Sequence, residues 1–294
     1  MPSNSSRAAS AGALGIAGLY LLVAGAAERN PHPQPLPEGQ AAAYAVQVDG
    51  KLVAAWQAGL PRQPASLAKL ALGLVVAGSS VDTGSGANGV LDEVVTVSRR
   101  SAAMPRARLG LRAGDRVRAG DLLRALIVAS SNDACMALAE HGPDGVDGTV
   151  RRMNELAAAL GMRATRFADP CGFDRPGQST TAADLLLLAN ASLAHPAIAA
   201  AAAEQSITIT TADGKRAYPA RTSNALLARE SGVVGLKTGI TVQAGPSLIV
   251  AARQGRKTVT VVLLGAQDRW RGARRLLQHG FEYGSAAAST APGS

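Results

Sequence analysis

The chain has 294 residues, of which 47% are hydrophobic and 3% aromatic, and a formal net charge of +9 at pH 7. This length and apolar content exclude a small stapled scaffold and support a sizeable core of Ala, Leu and Val in one or two domains. The charge favours an anionic partner, but the seven arginines between Arg99 and Arg118 have no interleaved aromatic side chain that could stack on bases. We therefore predict a solvated basic face, suited to an anionic membrane surface or an acidic polymer, and no nucleic-acid partner.

The N-terminal segment predicts export. Arg7 is followed by an uncharged run that ends in small residues before Glu28. Residues 1–27 therefore resemble a secretory signal peptide, or an uncleaved anchor that would associate with a membrane. Both interpretations place the body outside the cytoplasm, in the periplasm or another extracytoplasmic compartment. Alternating prolines predict that residues 28–42 form an extended, unpacked linker.

The first half of the folded region is predicted to be a hairpin followed by helices. Alternating apolar residues on both sides of an Asp-Gly turn predict a hairpin from Tyr44 to Trp56. The Gly- and Ser-rich stretch from Gly78 to Gly89 predicts a loop. Apolar periodicity, a leading proline and a Thr-Thr cap predict the helices, which span 64–77, 121–140, 150–160 and 180–194.

Beyond residue 204 the pattern changes to strands. Runs rich in β-branched residues begin at Ile207, Gly232, Ser247 and Thr258, with Gln254-Gly255 as a hairpin turn. A closing helix from Arg269 to Tyr283 carries its apolar residues on one face, as suits a helix that covers a sheet. These residues are Trp270, Ala273, Leu277 and Phe281. The folded domain is predicted to span 43–284, followed by a disordered tail at 285–294.

Three short motifs carry candidate chemistry. Ser66-Leu-Ala-Lys69 lies in a predicted helix, where a spacing of three puts the hydroxyl and the amine on one face. Taken alone this match is equally well explained by a helix cap beside a surface lysine. Ser130-Ser131-Asn132 follows an apolar run and Lys237-Thr238-Gly239 follows a predicted strand, however, and the three motifs together form a known catalytic set.

The choice of cation in these motifs is a second indication. The chain contains 25 arginines and 5 lysines, yet both motif cations are lysine. Only an ammonium whose pKa can be lowered is able to become a neutral base. If both lysines face one cleft, the charge of Lys237 would help to keep Lys69 neutral.

The motif set resembles that of penicillin-binding proteins and serine β-lactamases. From about Tyr44 to Tyr283 the chain is similar to the D-alanyl-D-alanine carboxypeptidases of the low-molecular-mass penicillin-binding class, serine peptidase family S11. The similarity extends beyond the motifs to Asp169-Pro-Cys-Gly-Phe and Gly235-Leu-Lys-Thr-Gly-Ile-Thr. The resemblance implies a β-lactamase/transpeptidase-like α/β (α+β) fold, a mostly antiparallel sheet flanked by helices with a helical subdomain.

The resemblance also implies an acyl-transfer cycle in a catalytic domain at 43–284, with no metal or organic cofactor. Ser66 would attack the penultimate D-Ala carbonyl of a peptidoglycan stem peptide, with Lys69 as base. The backbone N–H groups of Ser66 and Ile240 would hold the oxyanion. Ser130 would pass a proton to the leaving nitrogen.

The remaining motif residues would bind the substrate. By resemblance, Asn132 would orient the substrate amide, and the Lys237-Thr238-Gly239 strand would bind the terminal carboxylate. β-Lactam antibiotics would be covalent inhibitors at the same site. Because the loop from Asp169 to Thr181 contains no glutamate, unlike the loop of class A β-lactamases, we expect penicillin to acylate Ser66 and to leave slowly.

Three alternatives stay open from the sequence. The activity is that of a carboxypeptidase, of a D,D-endopeptidase that cuts cross-links, or of neither, in which case the fold serves as a non-catalytic penicillin-binding sensor or scaffold. Cys135 and Cys171 fit neither a zinc site nor a redox motif. In an exported protein they form either one disulfide or two buried thiols.

Overall fold

The computed structural model describes residues 35–78, 90–105 and 107–283. The predicted signal segment at 1–27, most of the predicted loop from Gly78 to Gly89 and the predicted tail at 285–294 lie outside these residues. Within the described part, no single helix is long and apolar enough to cross a bilayer. Two consecutive helices, Ala182–Ala194 and Pro196–Ala203, pass that test only jointly, across a bend of 94°.

The sheet is the frame on which the other elements pack. Five strands pair antiparallel in the order β2-β1-β9-β8-β7, and two further pairs, β3-β4 and β5-β6, lie outside it. The strands are β1 (Ala43–Val48), β2 (Lys51–Trp56), β3 (Val94–Thr96), β4 (Arg116–Arg118), β5 (Ser206–Thr210), β6 (Ala217–Arg221), β7 (Val233–Gly239), β8 (Ser247–Gln254) and β9 (Lys257–Leu264). Since β1 pairs with β9, the two ends of the folded region meet inside one sheet.

The predicted strands are confirmed, with one shifted turn, and three short strands, β3, β4 and β6, were not predicted. The hairpin β1-β2 turns at Asp49-Gly50, both with positive φ. Gln254 pairs with Lys257, so the turn of the next hairpin consists of Gly255 and Arg256, one residue later than predicted. Strand β6 was not predicted, because Pro219 interrupts it and none of its residues is fully buried.

The helices surround this frame. They are α1 (Lys69–Ala77), α2 (Arg99–Ala102), α3 (Ala119–Val128), α4 (Asn132–His141), α5 (Gly145–Ala159), α6 (Ala182–Ala194), α7 (Pro196–Ala203) and α8 (Arg269–Glu282). Helix α8 packs on β1, β8 and β9 from one side of the sheet, and α6 packs on β1 and β9 from the other. The predicted cap of α6 is confirmed, because Thr181 Oγ1 accepts from the backbone N–H of Asp184.

The predicted helix from 121 to 140 is wrong at its centre. Helix α3 ends at Val128, α4 begins at Asn132, and Ser130 between them has a left-handed φ of 59°. The apolar pattern continues across the break because most residues of both helices are buried. The break turns Ser130 out of the helix axis and into a cleft.

The predicted linker also differs from the structure in its described part. Leu36 is only 3% exposed and packs in the cluster beneath α8. The carbonyl of Gln40 accepts from Gln267 N–H, and Ala42 N–H donates to Leu264 O. This apolar contact and these backbone bonds hold residues 36–42 on the body, although the prolines predict an extended chain there.

Candidate active site

Ser66 lies in a short 3-10 turn, Ala65–Ala68, that leads into α1. Every residue of α1 is buried, as the sequence predicts. Two glycines approach the turn closely. A Cβ on Gly239 of β7 would lie 3.0 Å from Ala65 Cβ, and one on Gly172 would lie 1.8 Å from Ala65 O. The turn that carries Ser66 is therefore held between strand β7 and the loop around Gly172.

The amine of Lys69 lies at the centre of the polar contacts. Its Nζ is 3.0 Å from Ser66 Oγ and 3.5 Å from Ser130 Oγ. It donates to Asn132 Oδ1 at 2.6 Å and to the carbonyl of Ser130 at 3.0 Å. Asn132 Nδ2 in turn donates to Pro105 O, which orients the amide with its oxygen towards the lysine.

The protonation of Lys69 follows from its burial. The side chain is fully buried, and this desolvation lowers its pKa to about 7, against the opposing effect of Asp169 and Asp133. Burial, rather than repulsion from Lys237 as the sequence suggests, is the main cause. A neutral amine has two N–H donors and one lone pair. The carbonyl oxygens of Asn132 and Ser130 take the two donors, which leaves the lone pair for the Ser66 hydroxyl.

The opposite side of the cleft contains two basic side chains, Lys237 and Arg269. Lys237 is buried, and its Nζ donates to Thr238 O at 3.2 Å. Burial lowers the pKa of Lys237 well below 10.5, and the charges of Lys69 and Arg269 lower it further. Arg269 Nη1 donates to Gly239 O at 2.9 Å, and Thr238 Oγ1 donates to Ser223 Oγ at 2.7 Å. An arriving carboxylate would favour the charged form of this lysine.

These side chains surround one cleft of ≈ 400 Å³. Six of the eight predicted site residues line it, and they are Ser66, Ser130, Asn132, Thr238, Gly239 and Ile240. Lys69 and Lys237 lie buried beneath its surface. The structure thus brings together all three motifs.

Ser223 and Arg269 are among the residues that line this cleft and that the sequence did not predict as site residues. Arg269 is visible in the sequence only as the first residue of the closing helix. Ser223 lies in a short polar loop that matches no motif. Their proximity to Thr238 and Gly239 depends on how distant segments pack, so no local pattern could have found them.

A loop from Asp169 to Asp174 covers one side of the cleft, and we call it the roof. Asp169 Oδ1 accepts from the backbone N–H groups of Cys171, Gly172 and Phe173. Asp174 accepts from Thr241 Oγ1 at 2.6 Å, which ties the roof to the segment after β7.

A disulfide joins the roof to helix α4. Cys135 and Cys171 are bonded, with their Cα atoms 5.9 Å apart. This resolves the alternative that the sequence left open. Because Cys135 lies one helical turn beyond Asn132, the bond ties the roof to the helix that carries the Asn132 amide.

The arginine-rich segment is exposed to solvent, as the sequence predicts. Arg106 lies outside the described residues, and the other six arginines between Arg99 and Arg118 are exposed. Beneath them, buried Asp133 accepts from the backbone N–H groups of Leu109, Gly110 and Leu111. These bonds hold the segment that borders the cleft next to Asn132.

Comparisons with known proteins agree with this geometry. The family model for D-alanyl-D-alanine carboxypeptidases, peptidase family S11, matches residues 32–268. The chain is 35% identical to D-alanyl-D-alanine carboxypeptidase DacD of Escherichia coli over 270 residues, which are 87% of this chain and 66% of that protein, just under two thirds of its length. It is 30% identical to a D-alanyl-D-alanine endopeptidase of Pseudomonas aeruginosa, over 86% of this chain and 81% of that one.

The fold has solved relatives as well. The Streptomyces K15 DD-transpeptidase superposes with a TM-score of 0.75 at 25% sequence identity, over 85% of this chain and 99% of that one. The predicted α+β architecture, a mostly antiparallel sheet flanked by helices, is thereby confirmed.

Proposed function

Because the chain belongs to the D-alanyl-D-alanine carboxypeptidase family S11 of serine peptidases, we propose that it removes the terminal D-Ala of peptidoglycan stem peptides through an acyl-enzyme on Ser66. One observation carries this proposal. The hydroxyl of Ser66 lies 3.0 Å from the fully buried amine of Lys69, whose pKa is lowered to about 7. A base with that pKa is suited to proton transfer near neutral pH.

Acylation uses the contacts of Lys69 with Ser66 and Ser130. The lone pair of Lys69 takes the proton from Ser66 as Oγ bonds to the penultimate D-Ala carbonyl carbon. The backbone N–H groups of Ser66 and Ile240 donate to the oxyanion that forms. Ser130, whose Oγ is 3.5 Å from Lys69 Nζ, receives that proton and passes its own to the leaving nitrogen. The C–N bond then breaks and D-Ala leaves as a free amino acid.

The side of the cleft opposite Lys69 binds the C-terminal end of the peptide. Thr238 and Lys237 bind the terminal carboxylate, and Arg269 adds positive charge next to Gly239. Asn132 Nδ2 and Oδ1 are already held by Pro105 O and Lys69, so the amide is fixed before substrate arrives. A fixed donor and acceptor reduce the entropy lost when the substrate amide is aligned.

Deacylation regenerates the free enzyme. Water attacks the acyl carbonyl while Lys69 takes a proton from it, the bond between the acyl carbon and Ser66 Oγ breaks, and Lys69 returns the proton to Oγ. The roof offers no glutamate as a second base, and Asp169 Oδ1 is occupied by three backbone N–H groups. We expect penicillin to form a stable Ser66 adduct, and rapid turnover of a chromogenic β-lactam would contradict this.

A second candidate activity is that of a D,D-endopeptidase. The endopeptidase of P. aeruginosa aligns with 86% of this chain. Both activities use the same acyl-enzyme and differ in whether the leaving amine is a free D-Ala or the side chain of a second peptide. An exported, extracytoplasmic location suits either activity, because the cell-wall substrate lies outside the cytoplasm.

One assay separates these activities from a non-catalytic scaffold. The purified chain and its Ser66→Ala variant are incubated with labelled penicillin, with a peptide ending in D-Ala-D-Ala, and with cross-linked muropeptides. A carboxypeptidase forms an adduct only in the unmodified chain and releases D-Ala from the peptide. Cleavage of cross-links without D-Ala release identifies an endopeptidase. An adduct with neither product identifies the scaffold and overturns the proposal.

A further inference from the structure

A second cavity, of ≈ 610 Å³, adjoins the catalytic cleft. Phe173 of the roof lines both spaces. Pro105 lines the second cavity, and its carbonyl accepts from Asn132 Nδ2 at 3.1 Å. The cavity therefore begins where the catalytic cleft ends on the side of Asn132.

Three arginines from three separate elements line this space, which we call the arginine cavity. They are Arg100 in α2, Arg151 in α5 and Arg175 after the roof. Their side chains are 64%, 60% and 58% exposed, so the guanidinium groups are open to a ligand. Charges on three independent elements that face one cavity favour an anion.

The described ion pairs of these arginines leave most of their donors unused. Arg100 lies 3.8 Å from Glu140 and Arg175 lies 3.6 Å from Asp169, both beyond hydrogen-bonding distance. Arg151 donates from one nitrogen to Asp144 at 2.8 Å. Each guanidinium carries five N–H donors, which can bind a carboxylate through two parallel bonds.

The lining itself contains two acidic residues, Asp147 and Asp169. Asp169 is buried, and its Oδ1 accepts from three backbone N–H groups, so it is already compensated. Asp147 is exposed at the cavity. The lining thus contains one open carboxylate and three guanidinium groups, and Glu140 and Asp144, which lie outside the lining, are the acidic neighbours of Arg100 and Arg151.

The remainder of the lining is apolar. Met104, Met136, Val146 and Val150 contribute to it together with Phe173. Such a surface fits a ligand that carries aliphatic groups as well as carboxylates, which a free inorganic anion does not. A peptide with acidic side groups has both properties.

The proposed orientation of the substrate shows which part of a peptide reaches this cavity. The terminal carboxylate lies against Thr238 on one side of the cleft, and Asn132 holds the amide of the acyl portion on the other. We propose that the arginine cavity is a subsite for carboxylate-bearing residues that precede D-Ala-D-Ala in the stem peptide. This inference rests on the proposed function and assigns a substrate class to the same site.

The test compares two peptides that both end in D-Ala-D-Ala. One carries free carboxylates on the preceding residues, and in the other these are amidated. The measured quantity is the ratio of kcat/KM for the free peptide to kcat/KM for the amidated one. We expect Arg151→Gln and Arg175→Gln each to lower this ratio about 10-fold, as the loss of a charge-assisted hydrogen bond predicts. Arg253→Gln, at an exposed arginine in β8 outside both cavities, is the matched control and should leave the ratio unchanged.

Binding measurements keep this test independent of turnover. Isothermal titration of the same peptides into Ser66→Ala, alone and combined with Arg151→Gln, should show the same preference and the same loss. A ratio that Arg151→Gln and Arg175→Gln leave unchanged, in both turnover and binding, overturns the subsite. If the free peptide binds with this preference but the unmodified chain neither cleaves it nor forms a penicillin adduct, the proposed function fails and the subsite stands.

Discussion

Each side of the catalytic cleft contains a buried lysine, and the two lysines differ in the number of their polar contacts. On the nucleophile wall, formed by Ser66, Lys69, Ser130 and Asn132, the amine of Lys69 has four oxygen atoms within 3.5 Å. On the carboxylate wall, formed by Lys237, Thr238 and Arg269, the described contact of Lys237 is one backbone carbonyl at 3.2 Å. Burial lowers the pKa of both lysines, but only Lys69 has its polar partners in place.

The polar partners of Lys69 are therefore supplied by the protein, whereas a bound anion would supply further partners to Lys237. A buried cation without a counter-charge is costly, so it loses its proton or gains an anion. On the nucleophile wall, burial favours the neutral amine, which is also the state that the proposed catalysis needs. In the proposed mechanism, the carboxylate wall solves this problem when the terminal carboxylate binds, because that anion would favour the charged form of Lys237.

The largest expected effect comes from giving the nucleophile wall a base that cannot become neutral. Lys69→Arg keeps the positive charge and removes the lone pair, so acylation of Ser66 by penicillin should slow by about 10²- to 10⁴-fold. Intact-protein mass spectrometry over time measures the rate. Lys215→Arg, at an exposed lysine in the turn before β6, is the control. A rate within a factor of three of the unmodified chain would exclude Lys69 as the base.

The second prediction concerns pH. Because the pKa of Lys69 is lowered to about 7, the fraction of neutral amine falls about tenfold for each pH unit below that value. The kcat/KM for a D-Ala-D-Ala peptide should therefore rise between pH 5 and 8, with a midpoint near pH 7. Circular dichroism at each pH checks that the fold persists. A profile that is flat across this range would mean that Lys69 keeps its proton or is not used.

The free energy of unfolding should also depend on pH through Lys69, and the lowered pKa sets the direction of this dependence. The lowered pKa of Lys69 means that between about pH 7 and its ordinary value of 10.5 the unfolded chain binds more protons than the folded one. The contribution of Lys69 to the free energy of unfolding therefore increases with pH in that window. Lys69→Met should remove this increase.

A smaller effect is expected on the carboxylate wall. Thr238→Val removes a hydroxyl that lies next to the proposed carboxylate position, so kcat/KM for a D-Ala-D-Ala peptide should fall about 10-fold. A peptide that ends in a D-Ala amide lacks the anion and should be much less sensitive to the change. Thr208→Val, on the exposed face of β5, serves as the matched control. Equal losses for the two peptides would show that Thr238 has a structural role.

The two walls were not equally predictable from the sequence. The nucleophile wall is set by spacings within single segments, since residues 66 and 69 share a helical turn and 130 and 132 are two positions apart. The carboxylate wall needs Arg269, from the closing helix, against Gly239 of β7, and no local pattern encodes that approach. The break at Ser130 was not predictable from a local pattern either. Apolar periodicity indicates which residues are buried, and it continues through this turn because the turn is itself buried.

The last prediction tests whether the roof supports the nucleophile wall by direct contact. Gly172 and Gly177 both have positive φ, 85° and 75°, so replacing either with alanine imposes a similar backbone strain. Only at Gly172 would the new Cβ meet another segment, 1.8 Å from Ala65 O, whereas at Gly177 it would meet open space. Gly172→Ala must therefore push the roof away from the turn that carries Ser66. In urea denaturation we expect it to lower the free energy of unfolding by about 1–3 kcal/mol more than Gly177→Ala does, the typical cost of overpacking. Acylation of Ser66 by penicillin should slow in the first variant alone, and equal stability and equal acylation rates in the two would show that the roof covers the cleft without holding the nucleophile in place.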